Sequence, residues 1–410
     1  MRPAELPICE RNGQSLTING VFRKTAFMAL IVTASQLFTP LESIPSPYIV
    51  IEDGKVTSVG SQREAEIPKG KTLNLKDKVL APAYLDIHLH GSSGHDVMEA
   101  DDAALTAIET MLASRGVGAY LPTTVTATED RTLRALEHLG KSIRKGSQPG
   151  RTTPLGIHLE GPFISHAKRG VHPPEHLVEP SPDKLQRYWE ISAGTIRMLT
   201  IAPELPGAIE TIRRARELGI HCSLGHSNAT YEEALAGIAA GARHATHTFN
   251  AMRALNHRDP GILGAVLEHR ELTADIIADG IHVHPAVVDL FIRAKGVERS
   301  ILITDAISAT GMPEGRYDLG GLEVEVKDQR CEHNGKLAGS VLTMERAVRN
   351  AMGFAQLELQ DAVRLATFNP AALIGVSAER GLLRPGSRAD IVVLTTEGQL
   401  VQTILGGEVV

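Results

Sequence analysis

Residues 84–91 read Tyr84-Leu85-Asp86-Ile87-His88-Leu89-His90-Gly91, a mostly apolar run that stops at two histidines one residue apart and then a glycine. Side chains at positions i and i+2 of a strand leave the same face, so both imidazoles can point to one place. Two exposed histidines on an edge strand make the same pattern, but Ala83, Tyr84, Leu85 and Ile87 mark this strand as buried. Seven further apolar runs follow: Ala119–Val125, Leu155–Glu160, Thr195–Ile201, Ile220–His226, His244–Phe249, Ala274–Ala278 and Ile301–Asp305. Helix-like segments stand between them, among them Asp102–Ser114, Arg131–Lys145, Pro206–Leu218 and Tyr231–Ala240. Short apolar runs alternating with helical stretches are the mark of a parallel α/β fold, whose strands are covered on both faces. Eight such strands over about 225 residues match the usual size of a (β/α)8 TIM-like barrel, predicted for residues 83–374.

The residues that end these runs carry the chemistry. Beside His88 and His90, the third run ends His158-Leu159-Glu160, the fifth Leu224-Gly225-His226 and the eighth Ile303-Thr304-Asp305, while the sixth holds His247. Catalytic groups of (β/α)8 barrels gather where the strands end. One polar residue at a strand end is commonplace; five positions closed by His or a carboxylate are not. Together they offer nitrogen and oxygen ligands without sulfur, a set suited to Zn²⁺ or Fe²⁺. Glu160 can bridge two cations, with His226 and His247 completing one site and His88, His90 and Asp305 the other. Asp305 can also accept a proton from water. His282 follows Asp279-Gly280 and can contact a ligand or cap a helix. Arg258 lies in the turn before Asp259-Pro260-Gly261, facing an anion at the helix start or facing solvent.

Both chain ends read differently from the middle. Ala29–Leu37, Tyr48–Glu52 and Val56–Gly60 are β-prone, with Asp53-Gly54 as a hairpin signal, and Ile391–Leu394 and Leu400–Leu405 match them at the far end. They predict a small β-sandwich domain formed from both chain ends, residues 28–82 plus 375–410. Residues 1–27 read as a poorly ordered extension ahead of a natural start at Met28.

Among 410 residues the net charge is −6, which gives no support for nucleic-acid or membrane partners. No run reaches the roughly 20 apolar residues needed to cross a bilayer, and Ala26–Thr33 is too short for a signal peptide. Three scattered cysteines, Cys9, Cys222 and Cys331, argue against a disulfide framework. A cytoplasmic protein is expected.

Eight strings in this chain resemble the N-acetylglucosamine-6-phosphate deacetylases of the amidohydrolase superfamily, from about residue 29 to residue 406. They are Leu85–Gly91, His158-Leu159-Glu160-Gly161-Pro162-Phe163, Lys168-Arg169-Gly170-Val171-His172, Gly225-His226-Ser227-Asn228-Ala229, Thr246-His247-Thr248-Phe249-Asn250-Ala251-Met252, Ala278-Asp279-Gly280-Ile281-His282, Thr304-Asp305-Ala306 and Leu337-Ala338-Gly339-Ser340. The resemblance implies a metal site at Glu160, His226 and His247, and a second-metal position at His88 and His90. The implied cofactor is one or two divalent ions per subunit, zinc first and iron second. Asp305 is similar to the family's catalytic aspartate and His172 to the histidine that polarises the acetyl carbonyl. Val171, Asn250, Ala251, Arg258 and His282 match substrate contacts, and Leu337, Ala338 and Gly339 match the backbone lying along the sugar. The implied partner is an amino-sugar phosphate, held in a homodimer in which Arg258 reaches a neighbour's active site. N-acetylgalactosamine-6-phosphate deacetylation and a silent sugar-phosphate-binding barrel are the alternatives. An amidohydrolase with a carboxylated lysine fits less well, because Glu160 stands at the third strand.

Overall fold

The computed structural model describes residues 29–410, so the expected extension over residues 1–27 and the start at Met28 lie outside the described residues. All eight runs form strands: Tyr84–Leu89, Val117–Thr124, Ile157–Glu160, Ile196–Ile201, His221–Leu224, His244–Ala245, Ala274–Ile277 and Ser300–Ile303. Each is followed by a helix, in order α1 (Asp102–Ser114), α2 (Glu129–Lys145), α3 (Pro182–Ile191), α4 (Ala208–Glu217), α5 (Tyr231–Ala240), α6 (Gly261–Glu268), α7 (Pro285–Lys295) and α8 (Met344–Ala355). Parallel pairing runs from the first strand to the sixth and again between the seventh and eighth. Main-chain bonds bridge the gaps. Ala245 N donates to Thr273 O (3.0 Å) and Thr248 N to Asp275 O (2.9 Å), while Asp305 N donates to His88 O (2.9 Å) and His90 N to Ala306 O (2.7 Å). The parallel sheet therefore curls until its eighth strand meets its first.

Local chemistry explains the elements. The strands are buried on both faces, which is why they read as unbroken apolar runs. The helix α2 buries Ala135, Leu136 and Leu139, starts at a Thr128 cap and ends on Arg144 and Lys145, cations that suit its negative end. A reciprocal capping box of Thr230 and Glu233 starts α5.

Two expected runs are interrupted. The run His244–Phe249 stays in the ladder only for His244–Ala245, because His247 (φ 31°) and Phe249 (φ 81°) turn left-handed and leave it. The run Ala29–Leu37 splits at Ala34-Ser35 into Leu30–Thr33 and Gln36–Phe38, which pair in different sheets. The hairpin at Asp53-Gly54 forms between Pro47–Glu52 and Lys55–Ser61, with both turn residues at positive φ.

Both chain ends enter one six-stranded sheet, ordered Glu408–Val409, Leu400–Leu405, Ile391–Leu394, Val79–Pro82, Gln36–Phe38 and Ser43–Pro45. A second sheet holds Lys55–Ser61, Pro47–Glu52, Leu30–Thr33 and Lys71–Asn74. Val32, Ile49 and Ile51 of the latter share an apolar cluster with Leu37, Leu80, Ile391 and Val393 of the former. Between the eighth parallel strand and α8, four short strands fold over residues 315–337. Among the described residues no helix is long and apolar enough to cross a membrane. Cys222 and Cys331 are buried free thiols, and Cys9 lies outside the described residues.

Candidate metal centre

The strand ends meet. Glu160, at the end of the third strand, has four histidines around its two oxygens. Its Oε1 lies 3.4 Å from His88 Nε2, 3.2 Å from His226 Nε2 and 3.1 Å from His247 Nε2, and its Oε2 lies 3.3 Å from His90 Nε2. Two compact ligand triads result, His88–His90–Glu160 and Glu160–His226–His247. Asp305 Oδ1 stands 3.1 Å from His90 Nε2 and 3.5 Å from His88 Nε2. All six side chains are buried.

The nitrogens fit a cation better than they fit one another. His226 and His247 bring Nε2 atoms to 3.0 Å, and His88 and His90 theirs to 3.3 Å. Nitrogens on a tetrahedral zinc with bonds near 2.1 Å stand about 3.4 Å apart. The far side of two rings settles which nitrogen is free. His90 Nδ1–H donates to Thr123 O and His226 Nδ1–H to Lys168 O, each at 2.9 Å, so Nε2 is the nitrogen that each ring offers to the cluster. Among the described residues, His88 Nδ1 and His247 Nδ1 have no such partner.

Charge leads to the same conclusion. Burial pushes the Glu160 carboxyl up, but the His88 charge and hydrogen bonds from His226, His247 and His88 hold it well below the usual range. Burial disfavours charge on His90 and His247, yet bonds to Asp305 and Glu160 raise His90 well above normal, and Glu160 raises His247 to about 9. The carboxylates thus draw protons onto the imidazoles, and a divalent cation in the same place releases them.

The main chain is strained at three residues of the cluster. His226 (φ 46°), His247 (φ 31°) and Asp305 (φ 51°) all sit in the left-handed region. Such conformations cost roughly 1–3 kcal/mol each for non-glycine residues and persist only when the surroundings hold them. After Glu160 the chain needs glycine, because a Cβ on Gly161 would lie 2.2 Å from Thr126 Oγ1.

His172 stands beside this cluster, its ring 4.8 Å from that of His226 and its Nε2 3.7 Å from Glu160 Oε2. Thr126 N donates to His172 Nδ1 (3.3 Å), which assigns the ring proton to Nε2. Burial, then the His226 charge, lowers the His172 pKa to about 3, so the ring is a neutral hydrogen-bond donor.

A cavity of about 240 Å³ opens over the cluster. Of the expected site residues it is lined by His90, Glu160, Val171, His172, His226, His247, Asn250, Ala251, His282, Asp305, Leu337, Ala338 and Gly339. His88 sits just beneath it at the ligand cluster. The His282 ring is oriented by Asp279, Nδ1 to Oδ2 at 2.6 Å. Arg258 is apart, on an exposed turn that does not line this chain's own cavity.

Sequence reasoning missed Val125, Thr126, Leu319 and Leu322, which also line the cavity. Thr126 stands just after the second apolar run, Ala119–Val125, a position that could have flagged it. Leu319 and Leu322 flank the Gly320-Gly321 tip of a hairpin and carry no such signal. Asp96 Oδ2 accepts from Gly320 N (2.9 Å), and Arg131 Nη1 donates to Gly320 O (2.8 Å). His158 shares the inward face with Glu160 but lies one layer lower, where it donates to Ile87 O and accepts from Thr200 Oγ1.

An amidohydrolase-family model matches residues 79–410. An N-acetylglucosamine-6-phosphate deacetylase from Lysinibacillus sphaericus is 35% identical over 360 residues, covering 88% of this chain and 92% of that protein. An N-acetylgalactosamine-6-phosphate deacetylase from Escherichia coli O157:H7 is 35% identical over 388 residues, covering 93% and 99%. A solved structure of a variant N-acetyl-D-glucosamine-6-phosphate deacetylase from Mycobacterium smegmatis, in complex with N-acetyl-D-glucosamine-6-phosphate, superposes with a TM-score of 0.88 at 34% identity, covering 93% of this chain and 99% of that one.

Proposed function

Because this chain belongs to the amidohydrolase family, we propose that it hydrolyses N-acetyl-D-glucosamine 6-phosphate to D-glucosamine 6-phosphate and acetate. One observation carries this reading: Glu160, four histidine Nε2 atoms and the Asp305 carboxylate converge at the floor of one cavity. Glu160, His226 and His247 would hold one divalent cation, and His88, His90 and Asp305 a second. Nitrogen and oxygen donors without sulfur suit zinc first and iron next. Such a cation, when bound, polarises a carbonyl and lets water ionise near neutral pH.

The chain's own groups do the rest. In the metal-free site burial opposes ionisation of Asp305, but the hydrogen bond from His90 and the His88 and His90 charges bring its pKa down to about 2. A cation held there would supply the same positive charge once those imidazoles are neutral. Asp305 can take a proton from the attacking water. As water oxygen adds to the acetamide carbon, His172 Nε2–H donates to the carbonyl oxygen, where negative charge grows. The C–N bond then breaks and Asp305 returns its proton to the leaving amine. Val171, Asn250, Ala251, His282 and the Leu337–Gly339 backbone bind the sugar phosphate, and Arg258 of a neighbouring subunit completes its anion site in a homodimer.

Residues 83–374 form, in this reading, a (β/α)8 barrel, supported by the bonds from the eighth strand to the first. Residues 28–82 with 375–410 form a small β-sandwich, supported by the apolar cluster its two sheets share. A cytoplasmic setting is supported by the buried free thiols of Cys222 and Cys331.

Acetate release from the two epimeric amino-sugar phosphates, with metal analysis of the purified protein, tests the proposal. Faster release from the glucosamine epimer with bound zinc is expected. Preference for the other epimer would align the chain with its galactosamine relative. No release from either would leave a sugar-phosphate-binding protein and end the hydrolase reading.

A further inference from the structure

The seventh strand reads Ala274-Asp275-Ile276-Ile277, and its aspartate is wholly buried. An inner strand of a parallel sheet is ordinarily apolar, and a buried carboxylate is costly unless its oxygens are satisfied. Both are. Asp275 Oδ1 accepts from the main-chain N–H of His247, and Oδ2 lies 2.8 Å from His244 Nε2. His244 is itself wholly buried, with Nδ1 2.8 Å from Thr273 Oγ1. The main-chain oxygen of Asp275 meanwhile accepts from Thr248 N at 2.9 Å. Asp275 thus grips two successive amides, one with its side chain and one with its backbone, where the sixth strand leaves the ladder and His247 turns to φ 31°.

We propose that Asp275, braced by His244, is a positioning residue that sets the cation affinity of the Glu160–His226–His247 position. The proposal rests on the reading of that triad as a metal site. The His247 ring has no partner on Nδ1 among the described residues, unlike His90 and His226, whose Nδ1 atoms are tied to carbonyls. Its direction is governed through its own backbone, and Asp275 holds that backbone in a conformation it would otherwise leave. Removing an outer partner of a metal ligand typically weakens metal binding 10–100-fold, and here the outer partner acts on the ligand's amide instead of its ring.

Zn²⁺ affinity of the full-length protein, stripped of metal and titrated against a competing chelator, is the measurement, with thermal unfolding of the metal-free form alongside. Asp275→Ala is expected to weaken Zn²⁺ binding at the Glu160–His226–His247 position by at least about tenfold. Asp275→Asn keeps an acceptor for the His247 amide and should stay within about threefold of wild type. Ile276→Ala, a cavity mutation on the opposite face of the same strand, controls for stability and should leave Zn²⁺ affinity unchanged. If Asp275→Ala does not fold, His244→Gln, which withdraws the brace from Oδ2, should weaken binding in the same direction. Wild-type affinity in Asp275→Ala or, failing that, in His244→Gln overturns the proposal. So does an equal loss in Ile276→Ala, or a loss in Asp275→Asn as large as in Asp275→Ala. A wild-type protein that binds no Zn²⁺ would instead bring down the metal reading itself.

Discussion

Asp305 is where a single side chain bears most directly on the proposed reaction. Its Oδ1 lies 3.1 Å from His90 Nε2, and its backbone is left-handed at φ 51°. Asparagine tolerates that conformation better than most residues and has the same shape, so Asp305→Asn should fold normally. It cannot take up a proton, and turnover should fall about 10²-fold or more while KM moves little. Steady-state kinetics beside a thermal melt checks this, and near-wild-type turnover would remove Asp305 from the mechanism. Aspartate at the end of the eighth run was legible as a candidate. Its strained backbone was not, because the cause is the neighbouring chain: Asp305 N donates to His88 O, and its own oxygen accepts from Ser340 N.

The strands present the proposed ligands as separable groups. Glu160→Ala, His226→Ala or His247→Ala each takes a donor from the triad nearest the cavity, and each should abolish activity. His88→Ala combined with His90→Ala should remove at most the second ion and leave a weaker enzyme. Metal counted per subunit distinguishes the two cases, and two ions retained in the double variant would end the assignment of that pair. The helix α1 makes a different prediction. Its Glu109 is buried against Tyr120 Oη (3.3 Å) and Arg151 (3.5 Å). Burial raises the Glu109 pKa to about 7, against the opposing charge of Arg151. A carboxyl with a raised folded-state pKa holds its proton more tightly in the folded form. Its contribution is complete below the unfolded value and is lost as pH rises through about 7. Between about pH 5 and about pH 8, wild type should therefore lose roughly 1–3 kcal/mol more than Glu109→Gln. Urea midpoints at the two pH values measure it, and parallel behaviour would show Glu109 already ionised when folded.

At the scale of the whole molecule, the proposed site is shared between two chains. Arg258 sits on an exposed turn away from its own cavity, whereas in the proposed homodimer its guanidinium binds the neighbour's substrate phosphate, a geometry that favours arginine. Arg258→Ala should raise KM strongly for the phosphorylated sugar and barely change the weak hydrolysis of unphosphorylated N-acetylglucosamine. Mixing Arg258→Ala with Asp305→Asn chains should restore part of the activity, since one site of each mixed dimer then has both groups intact. Subunit exchange confirmed by mass, without any rescue, would place Arg258 outside the shared site.

The sequence alone determined the eight parallel strands and the histidines and carboxylates at their ends, since burial on both faces writes itself as apolar runs and a run must stop where polar chemistry begins. It also determined that both chain ends are strand-rich. The grouping of His88, His90, His226 and His247 was read from the strand ends; tertiary structure decided their distances to Glu160 and the separate partners of His158 and His244. Only folding brings Asp275 under His247 and the hairpin leucines over the cavity, for these are contacts between strands and loops distant in the chain. No local pattern encodes them; they exist only once the sheet has curled.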